Sequence, residues 1–263
     1  MHTDPPGRTA LTGIRTLRTA LPAAALAAAL AVTGCTPEGA GGGSGGSSGG
    51  QASGPAGSAL AAVEALTVKG RAPRTGYERE AFGSAWADTD ENGCGTRDDI
   101  LKRDLADIRL RGGGGGGGGG AGCKVAAGTL TEDPYTGRRV EFVRGRSKVD
   151  IDHVVALSDA WQKGAQKWQR RKRVAFANDP LNLLAVDSSA NRRKSDGDTA
   201  TWLPGNKAYR CVYVARQVSV KKKYELWVTG AERDAMRRVL SRCPDERLPS
   251  GGGPTEAPAR FGR

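Results

Sequence analysis

Histidine, closely paired cysteines and long apolar runs are all scarce in this 263-residue sequence. Its only histidines are His2 and His153, and it contains no Cys-x-x-Cys pair, so it lacks the ligand sets that structural zinc sites use. The longest run of small and apolar residues, 20–32, is about a dozen residues, whereas a membrane-spanning helix needs roughly 20. The sequence therefore favours neither a zinc-finger protein nor a protein that spans a membrane.

The short apolar run forms part of a predicted export signal. Three arginines precede it, and it ends in Val-Thr-Gly-Cys at residues 32–35, with small residues at the expected cleavage point. A cysteine directly after Thr-Gly resembles a bacterial lipobox, which predicts a signal peptide over residues 1–34 and a lipid on Cys35. An ordinary secretory signal with an incidental cysteine is the alternative. Both interpretations predict an exported protein, either a lipoprotein on the extracellular face of the cell membrane or a secreted protein.

The cysteine count agrees with a lipid on Cys35. The sequence contains five cysteines, and removing Cys35 leaves an even number in an oxidising compartment, which predicts two disulfides. Four cysteines allow three connectivities, and the sequence alone does not choose among them. Proximity along the chain favours Cys94–Cys123 and Cys211–Cys243.

Segments of low complexity flank the predicted domain. Residues 35–58 begin with the lipidated cysteine and continue mostly with Gly and Ser, which cannot bury a core and predict a flexible tether. Residues 249–263 are rich in Gly and Pro and predict a flexible tail. The folded part is expected over residues 59–248, and the nine glycines at 112–120 inside it predict a surface loop.

The chain carries a large positive charge. Its formal net charge is +12, and the signal segment contributes three Arg and one Asp, which leaves +10 for the rest. Such a surplus points to a polyanionic partner, with nucleic acid the first choice. A soluble basic exported protein that binds no nucleic acid is the alternative that charge alone leaves open.

Local patterns predict an α+β domain in which helices are the majority. Thr96 with Asp99, and Thr229 with Glu232, have the spacing of a capping box, and apolar residues up to Ile108 follow Thr96 on one helical stripe. Helical patterns also cover residues 207–225 and the stretch from about Ser188. Strand patterns cover residues 124–130, 138–143, 148–151 and 181–186.

The chemistry-bearing residues cluster in the second half of the chain. Beyond the signal the only histidine is His153, which follows Asp152 at the end of a predicted strand. This pair sets an oxygen ligand beside a group that takes up a proton near neutral pH. Downstream, Asn182 and Asn191 bracket an apolar strand and the start of a polar helix, and basic residues follow at once.

These residues resemble a known motif. Asp-His at 152–153, Asn-Leu-Leu at 182–184 and Asn-Arg-Arg-Lys-Ser-Asp at 191–196 resemble the HNH motif of ββα-metal nucleases. More narrowly, the sequence is similar to the C-terminal HNH domain of GmrSD-type restriction enzymes and to exported actinobacterial proteins of the HNH endonuclease family. The similarity covers roughly residues 76–243, and it implies a ββα-metal core embedded in a mostly helical single domain.

The resemblance implies a role for each motif residue. His153 would be the general base, Asn182 would orient the loop that holds it, and Lys194 would contact phosphate in the catalytic centre. Asp152 and Asn191 would be the metal ligands. Because Asn191 stands where the motif often has a histidine, one Mg²⁺ is favoured over Zn²⁺, with Mn²⁺ as the alternative. No small-molecule cofactor is expected, and the protein is expected to be a monomer.

Several basic residues are candidates for binding the substrate. The predicted substrate-binding residues are Arg192, Arg193, Arg170 and Arg171. In the segment 161–173, basic residues alternate with Trp161 and Trp168, which suits contact with phosphates and stacking on bases. The alternative is an amphipathic helix whose tryptophans pack inward.

A second metal site is the weaker of two interpretations for residues 88–99. Asp88, Asp90, Asn92 and Asp99 have the carboxylate spacing of a calcium loop, but its last position is normally Glu. Because Cys94 lies inside this segment, a turn fixed by a disulfide is the alternative.

The sequence as a whole predicts an exported endonuclease that cleaves DNA, or else RNA, with low sequence specificity, since no separate DNA-reading module is visible. One alternative is a non-catalytic surface lipoprotein that binds DNA through its basic face. Another is a structural lipoprotein that binds anionic envelope polymers. Neither alternative accounts for the order Asp-His, Asn, Asn.

Overall fold

The structure is a computed structural model that describes residues 54–112 and 122–263. The predicted signal peptide, Cys35, the tether up to residue 53 and residues 113–121 of the glycine-rich loop lie outside the described residues. Within the described ranges, no helix is both long enough and apolar enough to cross a membrane.

Helices and strands alternate irregularly along the described residues, which confirms the α+β prediction. The α-helices are α1 (Ala59–Glu64), α2 (Thr96–Asp104), α3 (Leu157–Gln162), α4 (Arg170–Ala177), α5 (Ser188–Lys194), α6 (Arg210–Tyr224) and α7 (Gly230–Leu240). The strands are β1 (Ala106–Leu110), β2 (Val125–Leu130), β3 (Val140–Val143), β4 (Val149–His153) and β5 (Leu183–Asp187). Short 3-10 turns cover Arg79–Phe82, Ala165–Lys167, Lys207–Tyr209 and Ala259–Gly262.

Strands β1, β2 and β3 form an antiparallel sheet in that order, and the prediction of one helix reaching Ile108 is wrong. Helix α2 ends at Asp104 because Leu105 turns into an extended conformation, and Ile108 then lies in β1. The predicted capping box at Thr96 is also absent. Thr96 is the first residue of the helix, and its hydroxyl donates to the Ala87 carbonyl instead.

Strands β4 and β5 form a separate antiparallel hairpin that leads directly into α5. In this hairpin His153 pairs with Leu183, and Val149 pairs with Asp187. The side chain of Asp187 then caps α5 by accepting from the Ala190 N–H, 2.7 Å away. The order predicted for residues 148–200, a strand, a loop with a helix, a strand and a helix, is therefore present, with two helices, α3 and α4, in the loop. We call the paired strands and the helix that follows them the β4–β5–α5 unit.

The β4–β5 hairpin is buried on both faces. Ile151 and Ala185 face one cluster with α2, whereas Leu184 and Val186 face a second cluster with α6. Such double burial explains why the β5 sequence is almost continuously apolar.

The segment between β4 and β5 carries α3 and α4, which form the walls of a third cluster. Trp161 lies against Phe82, with ring centroids 6.3 Å apart, and Trp168 lies against Phe176 at 5.6 Å. Both tryptophans therefore pack inward, as the amphipathic-helix interpretation predicted. They are not displayed as a stacking surface for bases.

Two disulfides join cysteines that are 29 and 32 residues apart in the sequence. The bonds are Cys94–Cys123 and Cys211–Cys243, the pairing that sequence proximity favoured. The second bond links the start of α6 to the residues after α7. Helix α7 begins as predicted, because the Thr229 hydroxyl accepts from the Glu232 N–H at 3.1 Å.

The prediction of a flexible tail over residues 249–263 is wrong. Ala257 is buried, its N–H donates to the backbone carbonyl of Arg171 on α4, and its carbonyl accepts from the Arg171 guanidinium. Farther back in this segment, the Gly253 carbonyl accepts from Lys223 at 2.6 Å. The Gly- and Pro-rich composition predicted that this segment would not pack. Its backbone nevertheless forms hydrogen bonds with residues of α4 and α6.

A network of buried charges connects α3, α6, α7 and the loop that follows α5. The Lys163 ammonium lies 2.7 Å from Asp159, 2.9 Å from Asp198 and 2.6 Å from Glu232, and none of it is exposed. Lys221 pairs with the same Glu232 at 3.0 Å. Three carboxylates face three cations in this network, since Arg71 also pairs with Asp159 and Asp198, so removing one cation leaves one buried negative charge without compensation.

We therefore expect Lys163→Met to lower the free energy of unfolding by about 3–5 kcal/mol, since the variant leaves the buried network with one uncompensated negative charge. Lys207→Met is the matched control, because Lys207 is exposed, and it should change stability by less than about 0.5 kcal/mol. Guanidinium denaturation with the disulfides intact measures both. Equal stability of the two variants would contradict a structural role for the network.

Candidate active site around His153

His153 lies at the end of β4 and is 8% exposed. Its Nε2 is 2.8 Å from the carbonyl oxygen of Ala177, the last residue of α4. Because a carbonyl only accepts, Nε2 carries the proton and Nδ1 keeps the free lone pair. Burial lowers the pKa of His153 to about 3, against the raising effect of the hydrogen bond to Ala177, and the positive charges of Arg79 and Lys194 lower it further by smaller amounts. The imidazole is therefore neutral at physiological pH, the form that can accept a proton.

An aromatic side chain that no motif marked covers this imidazole. The indole of Trp86 is nearly parallel to the His153 ring, with centroids 6.2 Å apart and an interplanar angle of 13°. The guanidinium of Arg97 lies 5.7 Å from the Trp86 ring centroid. Sequence reasoning missed Trp86, which lies far upstream of His153 in a segment without periodicity.

Asn182 holds the backbone just after His153. Its Oδ1 accepts from the Val155 N–H at 2.9 Å, and its Nδ2 donates to the Val155 carbonyl at 3.3 Å. Its own carbonyl accepts from the Val154 N–H at 2.8 Å. Asn182 is fully buried, so these bonds have no competition from water. This geometry suits the predicted role of orienting the His153 loop.

The carboxylate of Asp152 is enclosed by protein donors. The Tyr135 hydroxyl donates to Oδ2, and the Lys194 ammonium lies 3.0 Å from Oδ1. Burial raises the pKa of Asp152, against the lowering effects of Lys194 and Tyr135. The same ammonium donates to the His153 carbonyl at 2.8 Å. Lys194 is thus buried between α5 and β4, and in this arrangement it does not face solvent as a phosphate contact would.

Tyr135 was not predicted as a site residue. It belongs to the turn at residues 133–137, between β2 and β3. Its ring is fully enclosed and packs edge-on against Trp202, with centroids 4.8 Å apart. The predicted strand end at Asp152 gave no indication of which side chain would cover it.

Asn191 faces a different carboxylate from the one predicted. Its Nδ2 lies 3.2 Å from Oδ2 of Asp150, and both residues are partly exposed. Asp150 and Asp152 lie on the same face of β4, since side chains alternate along a strand. The alternation in the sequence could have identified Asp150 as a further candidate ligand.

The donor set between β4 and α5 fits a hard cation. Asp150, Asp152 and Asn191 offer only oxygen ligands, which Mg²⁺ prefers. Of these, Asp152 has both oxygens already bonded to protein groups. In the described part of the chain, no three His, Cys, Asp or Glu side chains converge as a metal-binding group. An ion here would therefore keep most of its water ligands.

The loop at residues 88–99 is closed by its own hydrogen bonds. The Asp88 carboxylate accepts from the backbone N–H groups of Asn92 and Gly93, at 3.1 and 3.0 Å. The Asn92 amide in turn donates to Asp90 at 3.0 Å. This geometry favours the interpretation of a turn fixed by the Cys94 disulfide over that of a calcium loop.

The basic residues of α4 are engaged within the protein. The Arg171 guanidinium donates to the Ala257 carbonyl at 2.7 Å and pairs with Glu256 at 3.2 Å. Arg173 donates to the Ala81 carbonyl at 2.8 Å. The structure therefore does not bring Arg171 to the His153 site, and Arg171 instead attaches the C-terminal segment to α4.

Five basic side chains line a groove of about 600 Å³ beside α5, which we call the basic groove. They are Arg138, Arg139, Arg146, Lys148 and Arg193. Lys148 lies two residues before Asp150, and Arg193 two residues after Asn191, so the groove adjoins that pair. Arg192 is also exposed on α5. Of the predicted substrate-binding residues, Arg193 alone lines this groove.

Comparison with known proteins gives two findings. A model of the family described as "GmrSD restriction endonucleases, C-terminal domain" matches residues 95–239, which include both sheets and α2 to α6. The chain is also 35% identical over 188 residues to an uncharacterized secreted protein of Arthroderma benhamiae. That alignment covers 71% of this chain and 85% of the other protein.

The depressed pKa of His153 makes a direct prediction. The folded pKa is about 3 and the unfolded value is 6.5, so the unfolded chain binds a proton that the folded domain does not. Stability should therefore be fully retained above pH 6.5 and fall as the pH drops from 6.5 towards 3. In NMR titrations, the His153 ring signal should not move between about pH 5 and 8.

His153→Gln identifies that signal by its loss, and it should also remove this part of the acid sensitivity. A His153 midpoint near the unperturbed value of about 6.5 would show that the imidazole is exposed.

Proposed function

Because this chain belongs to the family of the C-terminal domain of GmrSD restriction endonucleases, we propose that it is an HNH endonuclease that hydrolyses phosphodiester bonds. The proposed substrate is DNA, or else RNA, cleaved with low sequence specificity. The single observation that carries the proposal is the neutral, oriented imidazole of His153 at the head of the β4–β5–α5 unit. Phosphodiester hydrolysis needs a base of this kind to take a proton from water.

His153 Nδ1 is the proposed proton acceptor. The hydrogen bond from Nε2 to the Ala177 carbonyl fixes the tautomer, and that carbonyl also stabilises the imidazolium once the proton has moved. Asn182 restrains the backbone at Val155, so the ring does not swing away from the attacking water. Pre-organisation of this kind lowers the reorganisation that the reaction would otherwise require.

A single Mg²⁺, or Mn²⁺, is the proposed cofactor. Asn191 on α5 would hold it together with Asp150 or Asp152 on β4. Bound there, the ion supplies charge neutralisation at the phosphate and at the departing oxygen. Asp152 would have to contribute a lone pair that its hydrogen bonds leave free, and the cation would then lie near the Lys194 ammonium, which repels it. The partly exposed Asp150 does not have this constraint.

The proposed path of the nucleic acid backbone follows the basic groove towards Asn191. Phosphates bind clustered Lys and Arg through charge and release counterions, without regard to base sequence. Arg146, Lys148 and Arg193 would supply these contacts, in place of Arg170 and Arg171. Acidic side chains are fewer along the groove, where Glu141 and Asp187 are present.

The proposed location is outside the cell. The signal-like residues 1–34 support export, and so does the printed name of the Arthroderma benhamiae relative, which describes a secreted protein. A lipid on Cys35 would attach the domain to the membrane surface through residues 36–58. The proposed functional unit is the monomer, since the site draws its residues from one chain.

The second candidate function is binding of DNA without cleavage. The observation that favours it is the enclosure of Asp152, whose oxygens both bond to protein groups. A site that never opens would leave the basic groove as a binding surface alone. Measurements of cleavage and binding on the same samples separate the two functions.

We expect the protein to nick plasmid DNA in the presence of Mg²⁺ or Mn²⁺ and to lose this activity in EDTA. His153→Ala should reduce the rate by roughly 10²–10⁴-fold, since general bases contribute about that much. Gel retardation of the same DNA by the variant should be unchanged. Equal nicking by the variant and the wild type would exclude His153 as the base. Binding without nicking under either metal would support the second candidate.

A pair of double variants tests the basic groove. Arg146→Gln with Lys148→Gln should weaken DNA binding and reduce the slope of log K against log salt by about 2, roughly one unit per lost phosphate contact. Arg238→Gln with Arg242→Gln removes the same charge from another exposed surface and should leave the slope nearly unchanged. Equal slopes for the two double variants would show that binding depends on net charge and not on the groove.

A further inference from the structure

A cavity of about 190 Å³ opens beside His153. Most of its lining is apolar, and it includes Phe82, Trp86, Leu157 and Ala177. Sites for drug-sized ligands are typically about 300–1,000 Å³, so this cavity is sized for a single ring system. His153, the proposed general base, therefore lines a cavity that can hold one flat, largely apolar group.

The loop that forms one wall of the cavity is held close to α4. Gly83 has a φ of 87°, and a Cβ atom at this position would lie 2.6 Å from the side chain of Val174. A side chain here would push the wall away from α4. The cavity is thus a consequence of close backbone approach, and its shape is set before any ligand binds.

Trp86 adopts a backbone conformation that bulky residues rarely take. Its φ is 61°, in the left-handed region that favours glycine. Such conformations persist where the surroundings enforce them, and they concentrate at functional sites. Here the conformation places the indole against the cavity and parallel to the His153 ring. A flat aromatic wall of this kind is suited to stacking.

Asn178 provides an unused hydrogen-bond acceptor at the same cavity. Its Nδ2 donates to the Val174 carbonyl at 3.0 Å. Its Oδ1 is buried and has no hydrogen-bond partner among the described residues, and the side chain is only 2% exposed. An unsatisfied buried acceptor is unfavourable, so this oxygen is suited to a donor on a bound group.

We propose that this cavity is a subsite for one nucleobase of the substrate, which stacks on Trp86 and donates an N–H to Oδ1 of Asn178. The inference rests on the proposed nuclease function, and it names the part of the substrate that lies beside the proposed general base, His153. Adenine and cytosine each carry an exocyclic amino group that can donate, whereas thymine has a carbonyl oxygen at the corresponding position and only its ring N3–H to donate, flanked by two carbonyl oxygens that the Asn178 oxygen repels. The subsite therefore favours bases that carry an amino group.

The arrangement also limits which nucleotides reach the subsite. A stacked base has to leave its duplex partner, so single-stranded or frayed segments are the preferred occupants. Stacking tolerates many sequences, because every base has a flat aromatic face. The proposed preference is consequently modest and lies with the amino group, in keeping with low sequence specificity.

The test is equilibrium binding of mononucleotides to the intact protein in EDTA, where no cleavage takes place. Isothermal titration with dAMP, dCMP, dTMP and deoxyribose 5-phosphate compares bases with and without an amino group and a sugar phosphate without a base. We expect dAMP and dCMP to bind more tightly than dTMP, and the sugar phosphate to bind weakest. Trp86→Ala should weaken dAMP binding about tenfold, the order expected for one stacked base.

Two control variants keep the test decisive. Trp86→Phe retains an aromatic face and should keep most of the affinity. If Trp86→Ala does not fold, Trp86→Leu takes its place as the variant without an aromatic face. Trp227→Ala removes an indole that lies elsewhere, against Gly70, and should not alter binding. Equal affinity for dAMP and the sugar phosphate, or full affinity in Trp86→Ala, would overturn the subsite.

Unchanged affinity for dAMP in Asn178→Leu, which removes the acceptor, would overturn the role of Asn178. Because these measurements need neither metal nor cleavage, their failure is distinct from a failure to nick plasmid DNA. Mononucleotide binding without nicking would leave the subsite standing while the nuclease proposal fails. Nicking without any Trp86-dependent binding would support the nuclease proposal and overturn the subsite.

Discussion

The ammonium group of Lys194 joins the two halves of the candidate site. It binds the carboxylate of Asp152 and the carbonyl of His153, and it does so out of contact with solvent. A buried ammonium is costly unless it is paired, and breaking such a pair typically costs about 3–5 kcal/mol. Helix α5 is consequently fixed against the end of β4, and the distance between Asn191 and the strand carboxylates follows from that contact.

The rest of the fold holds His153 from several directions at once. The Ala177 carbonyl at the end of α4 accepts from the imidazole, Asn182 fixes the backbone at Val155, and the Trp86 ring stacks beside the imidazole. These groups are distant in sequence, and the segment that carries α3 and α4 must be anchored for them to meet. The buried charges around Lys163 supply that anchor, because they connect α3 to α6 and α7.

Local signals in the sequence predicted the parts of the fold that depend on near neighbours. The β4–β5–α5 order, the cap at Thr229 and both disulfides are of this kind. Strand β1 was missed because Ile108 fits a helical stripe as well as a strand. The tail over residues 249–263 was misjudged, because composition does not report that Ala257 finds a place against α4. Only the tertiary structure supplies that partner.

In the candidate site, too, residues that are neighbours in sequence were predictable, and residues brought in by tertiary structure were not. Asp152 and His153 were identifiable as neighbours in sequence, but their side chains point to opposite faces of β4 and meet different surroundings. Trp86 and Tyr135 come from other parts of the chain and carry no motif, so spacing could not reveal them. Tyr135 and Lys194 together neutralise and enclose Asp152, whereas Asp150 stays partly exposed beside Asn191. A cation arriving from solvent therefore meets Asp150 first, and near Asp152 it meets the repulsion of the internal Lys194 charge.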